Sequence, residues 1–249
     1  MGAVRATLLA SAALALSCAF SSGARAQTIG RVVEFFTSQG CSSCPPADVL
    51  AAKMAREADT LVLSFPVDYW DYIGWKDTFA SPAYTARQKA YAQSRGDGAV
   101  YTPQAVIDGL RHAVGSDPTE LDAATQLAAG EQGALKVSLK THMEGGHLIA
   151  EVGGAPEGAG KWGALWVLRL AKSRTVAIGR GENAGRSVTY TNIVRGMEKA
   201  GNWMGQPARY EIDEMGLKQG DSDGYAVMLQ ANQGPKLGAI LAAAKGPGL

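Results

Sequence analysis

Val33-Glu34-Phe35-Phe36-Thr37-Ser38-Gln39-Gly40-Cys41-Ser42-Ser43-Cys44-Pro45-Pro46-Ala47-Asp48 joins a strand to a helix through a pair of cysteines. Upstream, the run from Arg31 to Thr37 is β-branched or aromatic almost throughout, the composition of a short strand buried on both faces. Gln39-Gly40 ends it. Downstream, Val49, Leu50 and Met54 fall at helical spacing within residues 47–58, ADVLAAKMAREA. Pro45 and Pro46 sit near the first turn, where their missing N–H groups do little harm. Cys41 and Cys44 therefore stand at a helix N-terminus.

A thiolate in that place gains from unpaired backbone N–H groups and from the positive end of the helix dipole, which lower its pKa from about 8.5 and make it a nucleophile. In a Cys-x-x-Cys pair the first sulfur usually lies on the exposed lip of the turn and the second is half buried. Cys41 is accordingly expected to attack and Cys44 to resolve the mixed disulfide. Two plainer readings stay open. One is a structural disulfide, although so short a loop restricts the unfolded chain little. The other is half of a metal site, although the three histidines, His112, His142 and His147, are far away in sequence; no metal and no cofactor are expected.

Outward from this core, Thr60 to Val67 reads as a second buried strand, followed by an aromatic loop, Asp68-Tyr69-Trp70-Asp71-Tyr72-Ile73-Gly74-Trp75. Ser81-Pro82 opens a helix to about Ser94, and Asp108-Gly109 marks a hairpin turn between two short strands. Asp117-Pro118 starts a last helix, to Ala129. This order predicts a mixed sheet with helices on both faces over residues 27–130. From Ala134 onward the pattern changes to alternating runs separated by Gly-rich turns, which predicts an all-β, sandwich-like C-terminal domain over residues 131–249.

The start of the chain reads as an export signal: Arg5, a largely apolar block from Ala6 to Phe20, then Ala24-Arg25-Ala26 as a cleavage site. Residues 1–26 are thus expected to be removed and the mature protein to be periplasmic or secreted. Cys18 lies within that block, and Ala15-Leu16-Ser17 before it matches a lipoprotein cleavage pattern poorly. Of 24 Lys and Arg against 23 Asp and Glu, the signal removes Arg5 and Arg25 and no acid. The mature chain is nearly neutral and has no basic run, which argues against nucleic acid as a partner. No later segment reaches the roughly 18 apolar residues of a membrane span.

Strand, Cys-x-x-Cys on a helix, strand, helix, then Thr102-Pro103 before a hairpin, resembles the thioredoxin layout from about Arg31 to Ala129. The resemblance implies that Pro103 is a cis proline facing the disulfide, with Thr102 offering its backbone to an extended substrate strand; an ordinary turn proline is the alternative. It also implies that Glu34 is a buried acid beneath the disulfide that relays a proton for the resolving thiol, against a solvated edge Glu as the plain reading. Gly40 and Ser42-Ser43 depart from the usual thioredoxin residues. The stretch from Val33 to Asp48 further resembles a secreted bacterial family of unknown function with a thioredoxin-like fold. Val67 to Asp71, Gly74 to Asp77, Tyr101 to Gln104 and Gly179 to Arg186 share that resemblance.

Function is expected to follow from the dithiol: an exported thiol-disulfide oxidoreductase with Cys41 and Cys44 as the catalytic pair. Thr102 and Pro103 would hold the client backbone, and Trp70 and Tyr72 would wall its groove. The aromatic residues can equally be packing, and Asp68, Asp71 and Asp77 turn or cap residues. The partner is then an exported protein bearing a disulfide or thiol, or a redox donor. The rival expectation is a non-enzymatic periplasmic binding protein whose disulfide is structural, with metal handling by the dithiol a weaker third. Gly181 to Arg186 lacks the strand-to-helix context of a phosphate loop.

Overall fold

The computed structural model describes residues 29–131, 133–157, 160–234 and 236–249; the expected signal segment, with Cys18, lies outside them. The first half runs β1 (Arg31–Thr37), α1 (Pro45–Met54), β2 (Thr60–Pro66), α2 (Pro82–Arg95), β3 (Gln104–Ile107), β4 (Arg111–Val114) and α3 (Pro118–Ala129). β1 pairs parallel with β2 and antiparallel with β3, which pairs antiparallel with β4. At the β3–β4 turn Asp108 and Gly109 have φ of 50° and 73°, the left-handed pair that a two-residue hairpin needs and that Asp-Gly tolerates. Ser81 caps α2 and Asp117 caps α3, as their sequence positions predict. α1 ends at Met54 rather than Ala58, because the Arg56 and Glu57 amides turn back to Lys53 and Met54 as the chain bends into β2.

The second half contributes β5 (Leu139–Glu144), β6 (His147–Val152), β7 (Gly163–Ala177), β8 (Ser187–Trp203), β9 (Ala208–Asp213), the short α4 (Glu214–Leu217), β10 (Gly224–Gln233) and β11 (Lys236–Lys245). One eight-stranded sheet runs β11-β10-β7-β8-β2-β1-β3-β4, and β5, β6 and β9 form a second, three-stranded sheet. The molecule is thus a mixed α/β fold with a large, mostly-β sheet and a small second one. The large sheet continues across residue 130, which the change of pattern in the sequence did not indicate. β8 joins β2 in parallel at Ser64 and Ile193, where the Ser64 hydroxyl donates to the Thr191 carbonyl at 2.7 Å. Sheet-on-sheet packing is confined to one end, where Leu148, Ala150 and Val152 meet Leu165, Val167, Leu229 and Leu241.

Two sequence runs, residues 164–171 and 174–179, merge into the single strand β7, since Lys172-Ser173 offers no glycine or proline to break it. β7 and β8 consequently extend past the sheet as a two-stranded ribbon, Ser173 to Ala177 against Ser187 to Thr191. β5 starts later than its pattern suggests, because the Leu135 and Val137 amides donate to the Ile240 and Leu241 carbonyls of β11 instead.

Strand β1 sorts its residues by parity. Val33 and Phe35 pack with Ala47, Ala51 and Leu121 on the α1 and α3 face, and Val32 and Phe36 pack with Phe65, Tyr84 and Tyr91 on the α2 face. Glu34 shares the α2 parity. It is fully buried and ion-paired with Arg87 of α2 at 2.8 Å, and it accepts a short hydrogen bond from the Tyr91 hydroxyl. Gln230 of β10 completes the network, accepting from Arg87 at 3.0 Å and donating to the Tyr91 oxygen at 2.8 Å. Four buried polar groups thereby tie β1, α2 and β10 together, each with a partner.

Candidate functional site

Cys41 and Cys44 form a disulfide with Cα atoms 5.4 Å apart. Cys44 is the N-cap of α1, and its carbonyl accepts from the Ala47 and Asp48 amides at 2.8 and 3.2 Å. The helix start expected from the two prolines is therefore present. The expected exposed lip is not: Cys41 is 1 % and Cys44 0 % exposed. A cover built from distant segments explains the difference.

Trp70 forms one part of that cover. A Cβ on Gly40 would lie 3.2 Å from the Trp70 Cβ and 3.3 Å from its carbonyl oxygen, so a side chain on the residue before Cys41 would push the aromatic loop back by a few tenths of an ångström. The Trp70 indole N–H donates to the Thr102 hydroxyl at 2.7 Å. The Thr102–Pro103 bond is cis, and Pro103 lies beside the first turn of α1: its Cβ and that of Ala47 stand 3.4 and 3.5 Å from where a Gly115 Cβ would be. Trp70 and Thr102 are thus joined beside Gly40, and Pro103 lies near Ala47, three residues after Cys44. Tyr72, expected in the same wall, is 82 % exposed and stands outside this arrangement.

The second part of the cover comes from the ribbon tip. Asn183, itself 1 % exposed, donates both amide hydrogens to the cysteine loop, to the Gln39 carbonyl at 2.9 Å and the Cys41 carbonyl at 2.8 Å. The Gln39 amide donates to Asp77 at 2.7 Å, and the Gln39 side-chain oxygen accepts from the Trp75 indole at 2.8 Å. Asn183→Ala leaves the buried Gln39 carbonyl without its partner and the Cys41 carbonyl with the Cys44 amide alone, and should destabilise the protein by about 1–3 kcal/mol. Because those bonds hold the cover shut, the disulfide should also be reduced by dithiothreitol about tenfold faster; an unchanged reduction rate would show that Asn183 does not gate access.

Two acids flank the cysteine helix. Asp48 lies one turn after Cys44, so the two side chains share a helix face. It is buried; Thr37 donates to one carboxyl oxygen at 3.3 Å, and the other has no partner among the described residues. Burial pushes the Asp48 carboxyl well above the usual carboxylate range, and the charge of Asp77 adds to the push. Burial likewise raises Asp77 to about 6, against hydrogen bonds from the Gln39 and Phe79 amides that favour its charged form. The Tyr190 phenol is raised by burial and then by Asp48 and Asp77, which places all three groups in one neighbourhood. Glu34, the acid expected beneath the disulfide, sits instead on the opposite face of β1, bound to Arg87. Its even position in β1 turns it to the α2 face with Val32 and Phe36, away from α1, and it is not a solvated edge residue either.

The sign of the pH dependence follows from Asp77. An acid whose folded pKa is raised holds its proton in the native state after the unfolded chain has lost it, so the Asp77 contribution to stability falls as pH rises from about 4 to about 6 and is level above that. Asp77→Asn should flatten that decline by about 2 kcal/mol in urea unfolding followed from pH 4 to 7. A decline of the same size in the variant would assign it to the other acids that burial raises, Asp48 and Asp108.

Asn183, Asp48, Asp77 and Gln39 were not singled out as site residues from the sequence. A signal was present, since each lies in one of the separated stretches that share the family resemblance: Val33 to Asp48, Gly74 to Asp77 and Gly179 to Arg186. Among the described residues no three His, Cys, Asp or Glu side chains converge as metal ligands, and no helix is long and apolar enough to cross a membrane.

Comparison with known proteins places these features in a group. The X-ray crystal structure of protein AGR_C_4864 from Agrobacterium tumefaciens is similar, at 31 % sequence identity and a TM-score of 0.78 over 89 % of this chain and 96 % of that one. No curated protein matches the chain. A family model described as "Protein of unknown function (DUF1223)" matches residues 32–230, from the first strand through the cysteine pair to β10. The chain belongs to that family.

Proposed function

We propose that this chain is an exported thiol-disulfide oxidoreductase on a thioredoxin-like scaffold. The observation that carries the reading is the Cys41–Cys44 disulfide at the N-cap of α1, on a helix whose first turn has Pro103 beside Ala47. The β1-α1-β2 crossover, the antiparallel β3–β4 hairpin and α3 support it, being the arrangement that the thioredoxin resemblance implies over residues 27–130. Export rests on the signal-like residues 1–26. In the reduced protein the Cys41 thiolate attacks a client disulfide, forms a Cys41–client bond and releases one client thiolate. The Cys44 thiolate then attacks the Cys41 sulfur, which restores Cys41–Cys44 and releases the second. Asp48, one turn after Cys44 on α1, would in its ionised form take the resolving thiol's proton, the role first assigned to Glu34.

The burial of both cysteines favours a second reading, a binding protein whose disulfide is structural. Alkylation separates the two. After reduction, Cys41 should react with iodoacetamide along a titration with midpoint well below 8.5, and Asp48→Asn should shift the pH profile of resolution without moving that midpoint. A thiol that stays inert between pH 5 and 9 supports the structural disulfide.

A further inference from the structure

The outer face of α1 and the ribbon edge of β8 enclose a groove of about 690 Å³ that neither the cysteine chemistry nor the core uses. Pro45, Val49, Ala52, Lys53 and Arg56 line one side, spaced as a single helix face. Val49 is 72 % exposed there, a large apolar side chain facing solvent. The opposite side is Arg186 with residues 187–189 of β8. Residues 187–189 pair with β7 on one side only, and β8 meets β2 no earlier than Ile193. Among the described residues this stretch of edge carries no second strand, and its backbone is open to pairing.

The charge of the lining has one sign. Lys53, Arg56 and Arg186 are all exposed, no carboxylate lines the groove, and no ion pair to any of the three occurs among the described residues. We propose that this groove seats an extended acidic segment of a partner protein, which adds a strand to the edge of β8 while its carboxylates meet the three cations and an apolar side chain covers Val49. The chain's own start does not fit, since residues 1–28 contain Arg5 and Arg25 and no acid. A second copy pairing edge to edge would bring the same cations together. The inference goes beyond the thiol reading and holds whether or not the disulfide turns over. It places a partner against Pro45, next to Cys44, and against Arg186, whose amide donates to the Asn183 carbonyl at 3.1 Å.

Fluorescence anisotropy of the oxidised protein with labelled acetyl-(Glu-Val)4-amide and its Lys-Val counterpart tests it. The Glu-Val peptide should bind and weaken severalfold between 50 and 300 mM salt, the Lys-Val peptide should bind at least tenfold more weakly, and amide NMR shifts should centre on residues 187–189. Lys53→Glu/Arg186→Glu, checked for an unchanged melting temperature, should weaken the Glu-Val peptide at least tenfold. A Glu-Val peptide with N-methylated alternate residues should lose binding if a strand is added. Absence of binding at 1 mM peptide, equal binding of the two peptides, indifference to the double substitution or shifts located elsewhere would each overturn the proposal. Because the disulfide stays closed throughout, a failure here is distinct from a failure of the thiol chemistry.

Discussion

Arg87→Met is expected to destabilise the protein by about 3–5 kcal/mol, the range for removing one partner of a buried ion pair. The loss comes less from the pair itself than from what remains. Glu34, with no exposed surface, would be left with an uncompensated carboxylate whose remaining donor is the Tyr91 hydroxyl, and Gln230 would lose the guanidinium it accepts from. The guanidinium also stacks over Phe65 and Tyr91, 5.4 and 5.0 Å from the ring centroids, contacts that Met replaces only in part. The double variant Glu34→Gln/Arg87→Met should recover much of the loss, since neither charge is then buried. Urea unfolding of Arg87→Met, Glu34→Gln, the double variant and the parent at pH 7 closes the cycle. A single-variant loss under about 1 kcal/mol, or a double variant no more stable than the single, would show that the network does not pin α2 and β10 to β1.

The second large effect concerns the dithiol. Cys41→Ser should abolish reduction of a model disulfide such as insulin, because no nucleophile remains to open it. Cys44→Ser should instead accumulate a stable Cys41 mixed disulfide when treated with oxidised glutathione, because the first exchange proceeds and the second cannot. Intact-protein mass spectrometry reads that adduct directly. If both variants keep full activity, the mechanism is wrong. If neither Cys44→Ser nor reduced parent protein ever takes up glutathione, the pair is structural.

The local half of this architecture was legible in the sequence because its signals are local. The Arg31 to Thr37 run coincides with β1, Pro45 and Pro46 open α1, and Asp108-Gly109 makes its turn. The cover over the cysteines was not legible, since Asn183 reaches the Cys41 carbonyl across 142 residues, and neither composition nor periodicity carries contacts of that range. Glu34 shows a different failure: a buried acid was one of its two readings, but the face it takes depends on strand parity, which a strand apolar on both faces does not reveal. The strands of the second half were legible, but not the short α4 nor that β7, β8, β10 and β11 continue the first half's sheet in place of a separate sandwich. The attachment to β2 rests on Ser64, Asn192 and Ile193, residues whose side chains give no pairing code in a linear reading.

The central claim, that Cys41 and Cys44 exchange disulfides, is tested most directly by the reduction potential of the pair in the mature protein, equilibrated against glutathione. Exchange predicts a value between about −120 and −270 mV, reached reversibly, and its position in that range assigns oxidase or reductase direction. A value below about −300 mV, with reduced protein that does not react back with oxidised glutathione, would contradict the claim and leave Cys41–Cys44 as a structural bond.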